Sequence, residues 1–344
     1  MKEIQLEILS IIQEKAGLSR QEISHSLSNP PSSATVKRWI QTLHEAGWIA
    51  SEGKGKATVY LPSEKLELLF PIDLENYFTK EQDDRKIKQR FDFEVFEKLG
   101  RSHLFLEDEE LKLNEIKETF QQRIQLLSNL EYQKEMERLA IDLSWKSSQI
   151  EGNTYSLLET EILLKEKKTA SGKTRDEATM LLNHKEAIDF LVENKDYAQK
   201  LSPKIIEELH SILIKELGIS RNIRTRKVGI TGTNYNPLDN EFEIREALEK
   251  TCRLVNSKSD PYEKAFLSLL LISYIQPFAD GNKRTARILS NAILIAFGFC
   301  PLSFRTVDPL DYKKAMLVFY EKSNLYPMKR IFIDQADFAV NTYF

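Results

Sequence analysis

The chain has 344 residues, enough for two domains or for one large domain with an appendage. Its formal net charge of −3 excludes a protein that coats nucleic acid through overall basicity, although a local basic face remains allowed. The longest apolar run, residues 265–275, is too short to cross a bilayer, so no membrane partner is expected. Cys252 and Cys300 lie far apart, and we predict two reduced thiols in a cytoplasmic protein.

Residues 1–64 are predicted to form a small separate domain. Ser19 and Glu22 have the spacing of a capping box at the start of a second helix. A third helix is predicted over 33–49, and two short strands joined by a Gly-Lys-Gly tip follow within 49–62. Three helices and a hairpin in this order resemble a winged helix-turn-helix domain.

In a winged helix the third helix enters the major groove of DNA and the wing contacts the backbone. The side chains available for these contacts are Ser32, Thr35, Lys37 and Arg38 on the helix, with Lys54 and Lys56 on the wing. The first 64 residues carry seven basic and seven acidic side chains, which weakens the case for binding phosphates. DNA binding and protein docking are therefore equal alternatives for this domain.

The rest of the chain is predicted to be mainly helical. Residues 65–135 are highly charged and predict exposed helices that link the two halves, and residues 136–344 form the second domain. Six further helices are predicted at 130–153, 176–194, 203–217, 242–256, 260–276 and 283–297. Residues 224–239 are the clearest extended stretch and predict a small β-hairpin or flap.

The segment SYIQPFADGNKRTARILSN, residues 273–291, combines charged residues with apolar flanks. Pro277 disfavours helix at Gln276, and Gly281 permits an unusual turn before helix resumes at Lys283. The segment therefore predicts a helix, a tight loop and a second helix. Exposed N–H groups and the positive dipole end at the start of that helix form an anion site.

Three charged residues in this segment suggest what the anion is. Arg284 and Arg287 share a helix face, and arginine binds phosphate oxygens through two hydrogen bonds. Asp280 can hold Mg²⁺ that shares its other positions with phosphates and water. The set suits a di- or triphosphate, and the alternative is a turn in which Asp280 pairs with an arginine.

The order and spacing of these residues resemble the Fic family, whose motif runs His-Pro-Phe-x-Asp/Glu-Gly-Asn-Gly/Lys-Arg-x-x-Arg. The positions that match are Pro277, Phe278, Asp280, Gly281, Asn282, Lys283, Arg284 and Arg287. The resemblance extends over roughly residues 140–310. It implies a Fic-like helical core with a small β-hairpin flap.

The resemblance also implies an activity, the transfer of AMP from ATP to a hydroxyl group of a target protein. Asp280 would coordinate Mg²⁺, and Arg284 and Arg287 would hold the outer phosphates. The remaining phosphate contacts would come from Gly281, Asn282 and Lys283. The target protein would add a strand to the flap, at Val228, Gly229, Ile230, Thr231 and Gly232. A homo-oligomer is compatible with the sequence.

A second family motif, Ser/Thr-x-x-x-Glu-Gly/Asn, is matched by Ser147, Glu151 and Gly152. In the family this glutamate pairs with the second motif arginine, here Arg287, and obstructs productive placement of the γ-phosphate. The resemblance thus implies that Glu151 inhibits the protein. The alternative is an ordinary carboxylate at a helix end.

Gln276 stands where the family has its catalytic histidine. A glutamine amide cannot accept the proton of an attacking hydroxyl, and losing a positioned base typically costs about 10²–10⁴ in rate. Three alternatives follow: a nucleotide-binding pseudoenzyme, a slower or different reaction, or a deliberately introduced glutamine. A further alternative is a DNA-binding regulator whose Fic-like part only senses nucleotide.

Overall fold

The computed structural model describes residues 2–344, apart from the side chain of Lys56, one of the two predicted wing lysines. The chain divides into two compact units. The first comprises the residues up to Asp73 together with Lys322–Tyr326, and the second contains the rest. The domain boundaries at residues 64 and 135 remain predictions.

The first unit contains the predicted helices and hairpin. Its elements are α1 (Glu3–Glu14), β1 (Leu18–Ser19), α2 (Arg20–Ser26), α3 (Ser33–Glu45), β2 (Ile49–Glu52), β3 (Val59–Pro62) and α4 (Glu64–Leu69). The strands form an antiparallel sheet in the order β1-β3-β2. This arrangement confirms the winged-helix prediction.

Local sequence explains how α2 and α3 begin. Ser19 Oγ accepts a hydrogen bond from the Glu22 N–H, and Glu22 accepts one from the Ser19 N–H, which completes the predicted capping box. Ser32 lies just before α3 as its N-cap, where its side chain accepts from the Thr35 N–H, and not on the helix itself. Lys37 and Arg38 lie exposed on α3.

The regular secondary structure described for the second unit is helical. Its helices are α5 (Leu74–Tyr77), α6 (Glu94–Arg101), α7 (Glu107–Leu126), α8 (Asn129–Ile150), α9 (Leu157–Glu166), α10 (Arg175–Glu193), α11 (Pro203–Leu213), α12 (Glu241–Ser257), α13 (Pro261–Ile275), α14 (Asn282–Ala296), α15 (Pro309–Lys322) and α16 (Tyr326–Tyr343). The helices predicted from residue 130 onward are confirmed to within a few residues. None of the helices within residues 2–344 has both the length and the hydropathy that a membrane span needs.

The pair α13 and α14 forms the centre of this unit. Nearly every side chain of α13 from Tyr262 onward is buried, as its unbroken apolar sequence requires. Helices α8, α10 and α11 pack against α14. The loop between α13 and α14 carries the motif, so a buried scaffold holds the motif on both sides. Cys252 and Cys300 are both buried and are not bonded to each other.

Helices α6 and α7 were predicted to be exposed, but each buries one apolar face. Val95 and Leu99 of α6 are fully buried, and Leu113 and Phe120 of α7 are almost so. These residues recur at helical spacing inside a strongly charged sequence. Charge on the outer face masked the narrow apolar stripe that packs inward.

The flap differs from its prediction in one respect. Residues 224–239 are extended around a turn at Thr231 and Gly232, but the two arms are not assigned as paired strands. The only bridge assigned to this stretch, within the described part of the chain, joins Asn236 to Arg90. Arginine side chains bond to three flap carbonyls: Arg224, at the base of the flap, donates to those of Arg226 and Leu238, and Arg85 donates to that of Gly232.

Candidate active site

The motif loop adopts a backbone that its sequence makes possible. Helix α13 ends at Gln276 in the left-handed region, with φ of 52°, and Gly281 has φ of 79°. A Cβ atom on Gly281 would lie 3.3 Å from His210 and from Ile214. Glycine is therefore required at this position for space as well as for backbone conformation. Phe278 anchors the loop, since it is fully buried and its ring stacks on His210 with centroids 3.6 Å apart.

The start of α14 is prepared for an anion. Gly281 is the N-cap residue and provides no side-chain cap for the first turn. The N–H groups there are consequently left for another acceptor. Asn282 holds the loop closed, because its amide donates to the Phe278 carbonyl and its oxygen accepts from the Phe278 N–H, both at 2.8 Å.

Arg287 lies fully buried between α8 and α14. It donates to Ser147 Oγ at 2.7 Å, to the Ser147 carbonyl at 2.9 Å and to Glu151 Oε1 at 2.8 Å. The other oxygen of Glu151 lies 3.7 Å from Lys283 Nζ. Burial opposes the ionisation of Glu151, but the charges of Arg287 and Lys283 outweigh it and lower the pKa of the carboxyl group.

Arg284 is also almost completely buried, and its Nη2 lies 3.4 Å from Asp280 Oδ2. Burial lowers its pKa. In the described residues, Nη1 of Arg284 and Nη1 of Arg287 have no hydrogen-bond partner although both atoms are buried. A buried donor without an acceptor costs about 1–3 kcal/mol, and more when it is charged. Two such donors behind the motif loop fit an anion with several oxygens.

A cavity of about 370 Å³ opens in front of the loop. That volume lies in the range of ordinary small-molecule sites, about 300–1,000 Å³. Four segments of the second unit form its walls: the end of α8, the flap, the motif loop and one face of α15. The lining residues are Glu151, Val228, Gly229, Ile230, Thr231, Gln276, Ala279, Asp280, Gly281, Asn282, Lys283, Tyr312, Lys313, Met316, Leu317 and Tyr320.

The remaining predicted site residues lie around the cavity and not in its walls. Arg284 and Arg287 follow the loop on α14 and are buried, and Ser147 accepts a hydrogen bond from Arg287. Gly152 follows α8 with φ of 99°, and a Cβ atom there would meet only open space. Gly232 forms the flap turn, and a Cβ there would contact Leu317 at 3.4 Å.

Helix α15 contributes a cavity wall that the sequence did not predict. Tyr312, Met316 and Tyr320 recur every four residues and point to one side of the helix. That spacing predicts a helix face, but it does not say that the face meets a motif some thirty residues away. Lys313 adds a positive charge to the same wall.

Asp280 fits a Mg²⁺ site shared with phosphate oxygens. Its side chain is 68% exposed and lines the cavity. Over residues 2–344, no group of three or more His, Cys, Asp or Glu side chains is arranged to hold a metal ion. Mg²⁺ is commonly bound through one or two carboxylates with the substrate phosphates as further ligands, so a single aspartate suffices.

Gln276 is engaged at both ends of its side chain. Its Nε2 donates to the Ser273 carbonyl at 2.6 Å, and its Oε1 accepts from Asn282 Nδ2 at 3.1 Å. Its carbonyl oxygen therefore already has one donor, and only its second lone pair is left to accept from a substrate hydroxyl. His210 offers no replacement base, because it lies behind the loop and burial lowers its pKa to about 4.

Comparisons with known proteins agree with this geometry. The Fic/DOC family matches residues 200–294, and the penicillinase repressor family matches residues 2–80. A protein adenylyltransferase Fic from Nematostella vectensis is 34% identical over 49% of this chain and 40% of that protein. Protein adenylyltransferase fic-1 from Caenorhabditis elegans is 26% identical over 56% of this chain and 39% of that protein. The chain thus spans about two fifths of the length of these relatives.

Solved structures support the fold. A fragment of Fic-1 from C. elegans superposes with a TM-score of 0.60 at 23% identity, over 68% of this chain and 71% of that one. A Fic family protein from Desulfovibrio desulfuricans superposes with a TM-score of 0.57 at 18% identity, over 70% and 74% of the two chains. The motif loop, the helical core and these similarities lead to one conclusion: this chain contains a Fic/DOC-family domain, matched over residues 200–294, and an N-terminal domain of the winged-helix type.

Proposed function

We propose that the second unit binds ATP with Mg²⁺ and is built to transfer AMP to a hydroxyl group of a target protein. The observation that carries the proposal is the pair of buried arginines, Arg284 and Arg287, each with an unpartnered donor behind the glycine turn. The names of the relatives, protein adenylyltransferases, support the same reaction.

In this reaction the hydroxyl oxygen of the target bonds to the α-phosphorus of ATP. The bond from that phosphorus to the oxygen of the β-phosphate breaks, pyrophosphate leaves, and the hydroxyl proton is released. Arg284, Arg287 and the N–H groups at the start of α14 would bind the phosphates and stabilise the charge that develops. Mg²⁺ held by Asp280 would neutralise phosphate charge.

We propose that Glu151 inhibits this reaction. Its carboxylate occupies Arg287 at 2.8 Å and lies 3.7 Å from Lys283, so it competes with phosphate oxygens for two cations of the site. Competition is expected because the carboxylate and a terminal phosphate are anions that use the same donors.

Gln276 limits the activity that this site can have. The amide cannot take the proton released by the target hydroxyl, so we propose a rate reduced by about 10²–10⁴ or a site that binds nucleotide without transfer. Nucleotide binding does not need the missing base. The binding proposal is therefore independent of the transfer proposal.

Calorimetry with ATP and Mg²⁺ tests the binding proposal. The parent protein is compared with Glu151→Gly, and Glu166→Gly serves as a matched control because Glu166 lies at the exposed end of α9. Tighter binding in Glu151→Gly alone would support both the phosphate site and its internal competitor. Absence of binding in all three proteins would refute the proposal.

DNA binding by the first unit is a second candidate function. The observation that favours it is the pair of exposed basic side chains Lys37 and Arg38 on α3, with exposed Lys54 at the tip of the wing. A mobility shift with duplex DNA, repeated at rising salt and with ATP, tests it. Binding that weakens with salt and changes with ATP would indicate a nucleotide-sensing regulator, and no shift at low salt would exclude it.

A further inference from the structure

The flap has an open edge that faces the cavity. Val228, Gly229, Ile230 and Thr231 line the cavity, and within the described residues their backbone N–H and C=O groups make no hydrogen bond to the protein. The flap arms also do not pair with each other. Contacts other than hydrogen bonds between paired strands must therefore set the position and orientation of this edge.

Arg224 lies at the base of the flap and is buried. Its guanidinium donates to the Gln276 carbonyl at 2.6 Å, to the Arg226 carbonyl at 2.9 Å and to the Leu238 carbonyl. Its backbone N–H donates to the Pro277 carbonyl at 3.0 Å. One side chain thus joins both arms of the flap to the motif loop at the position of the missing base.

Arg85 acts in the same way at the tip. It is bound to the buried Glu321 of α15 through Nη2 at 2.9 Å and Nε at 3.0 Å. Its Nη2 also donates to the carbonyl of Gly232, the turn residue of the flap. The arginine therefore connects the flap turn to α15, the helix that forms another wall of the cavity.

The planar guanidinium group suits both positions. It presents five donors in a rigid fork, so one residue can hold several carbonyls at fixed angles. All the hydrogen bonds of the Arg224 guanidinium go to main-chain carbonyls. A buried guanidinium without a carboxylate partner costs free energy unless it is hydrogen-bonded. The hydrogen bonds that Arg224 makes here are the ones that fix the flap.

We propose that Arg224 and Arg85 are positioning residues that hold the flap from its base and its tip, so that the open edge at residues 228–231 is preset for an extended segment of a protein substrate. This proposal rests on the proposed function for the identity of the occupant. The flap contacts themselves do not depend on it.

Limited trypsin digestion of the full chain tests the proposal. Lys227 is exposed and immediately precedes the open edge, so cleavage after it reports local opening of the flap. Arg224→Met and Arg85→Met should each increase this cleavage rate by at least about tenfold, because hydrogen bonds from a charged donor contribute that much or more to a closed state. Arg221→Met, an exposed change just outside the flap, should leave the rate unchanged.

Lysine variants and nucleotide binding separate positioning from general destabilisation. Arg224→Lys and Arg85→Lys keep the charge but lose the fork, so their cleavage rates should fall between parent and methionine variant. In the Arg85 variants the affinity for ATP with Mg²⁺ should stay within about twofold of the parent, since Arg85 bonds neither to the motif loop nor to a residue that lines the cavity.

Unchanged cleavage after Lys227 in both methionine variants would overturn the proposal. An equal acceleration at sites throughout the second unit would overturn it too, because that would reveal only a loss of overall stability. A parent protein that binds no ATP would refute the proposed function, while the digestion would still decide whether the two arginines hold the flap.

Discussion

Replacing Glu151 by glutamine tests the ion pair that joins α8 to α14. Arg287 is fully buried and keeps its two contacts with Ser147 in the variant, but it loses its carboxylate partner. Removing one partner of a buried pair typically costs about 3–5 kcal/mol. The Glu151 side chain is 20% exposed, so water can partly replace it and we expect the lower end, about 3 kcal/mol.

The loss is measured as a fall in melting temperature of the second unit. For a unit of this size, about 3 kcal/mol corresponds to roughly 6–12 °C. Scanning calorimetry suits the measurement because it can resolve separate transitions in a chain with two units. Glu166→Gln, at an exposed helix end, serves as the control and should melt like the parent.

Adding ATP and Mg²⁺ distinguishes a structural ion pair from a competing one. A nucleotide at about 100 times its Kd stabilises the folded protein by about 2.7 kcal/mol. The phosphates would give Arg287 an anion again, so the variant should recover most of its lost stability and gain more than the parent does. If the variant melts lower and nucleotide restores nothing, the phosphate role of Arg287 is refuted.

Three further predictions concern the same site. Gln276→His, combined with Glu151→Gly, should raise labelling of protein substrates from ATP by about 10²–10⁴, and an unchanged rate would show that the missing base is not what limits transfer. Gly281→Ala should weaken ATP binding and lower the free energy of unfolding by more than about 1–2 kcal/mol, because the new methyl group crowds His210 in addition to the cost of a positive φ. Gly298→Ala is the control: Gly298 also has a positive φ, but a methyl group there meets open space, so this variant measures the backbone cost alone. Because the pKa of Glu151 is lowered in the folded protein, its carboxylate stabilises the fold at pH values above 4.5, the ordinary pKa of a glutamate. This contribution should disappear as the pH falls through the lower pKa of the folded state. The free energy of unfolding should therefore fall less steeply with acid in Glu151→Gln than in the parent.

Local sequence predicted the motif loop closely. Pro277 and Gly281 restrict the backbone of a short segment, and the spacing of Arg284 and Arg287 places both on one side of α14. These are interactions between near neighbours in the chain. Capping at Ser19 belongs to the same class, because all its partners lie within three residues.

The support of the flap could not be predicted in this way. Arg224 reaches the Gln276 carbonyl across 52 residues of sequence, and Arg85 reaches Gly232 across 147. Nothing in the pattern around either arginine identifies a distant carbonyl as its acceptor. Of the two forms predicted for residues 224–239, a hairpin or a flap, the structure has the unpaired flap, and the sequence did not show that arginine side chains would hold its arms.

The sequence by itself determined the three helices of the N-terminal domain, most helices between residues 130 and 297, the tight turn of the motif and the absence of a histidine at residue 276, because periodicity, backbone restriction and chemical identity are local properties. Only the tertiary structure decided that the Gln276 amide is already bonded at both ends, that Glu151 lies between Arg287 and Lys283, and that α15 closes the cavity. These facts depend on which surfaces of separate helices pack together, and packing is settled by the burial of whole faces rather than by any single segment.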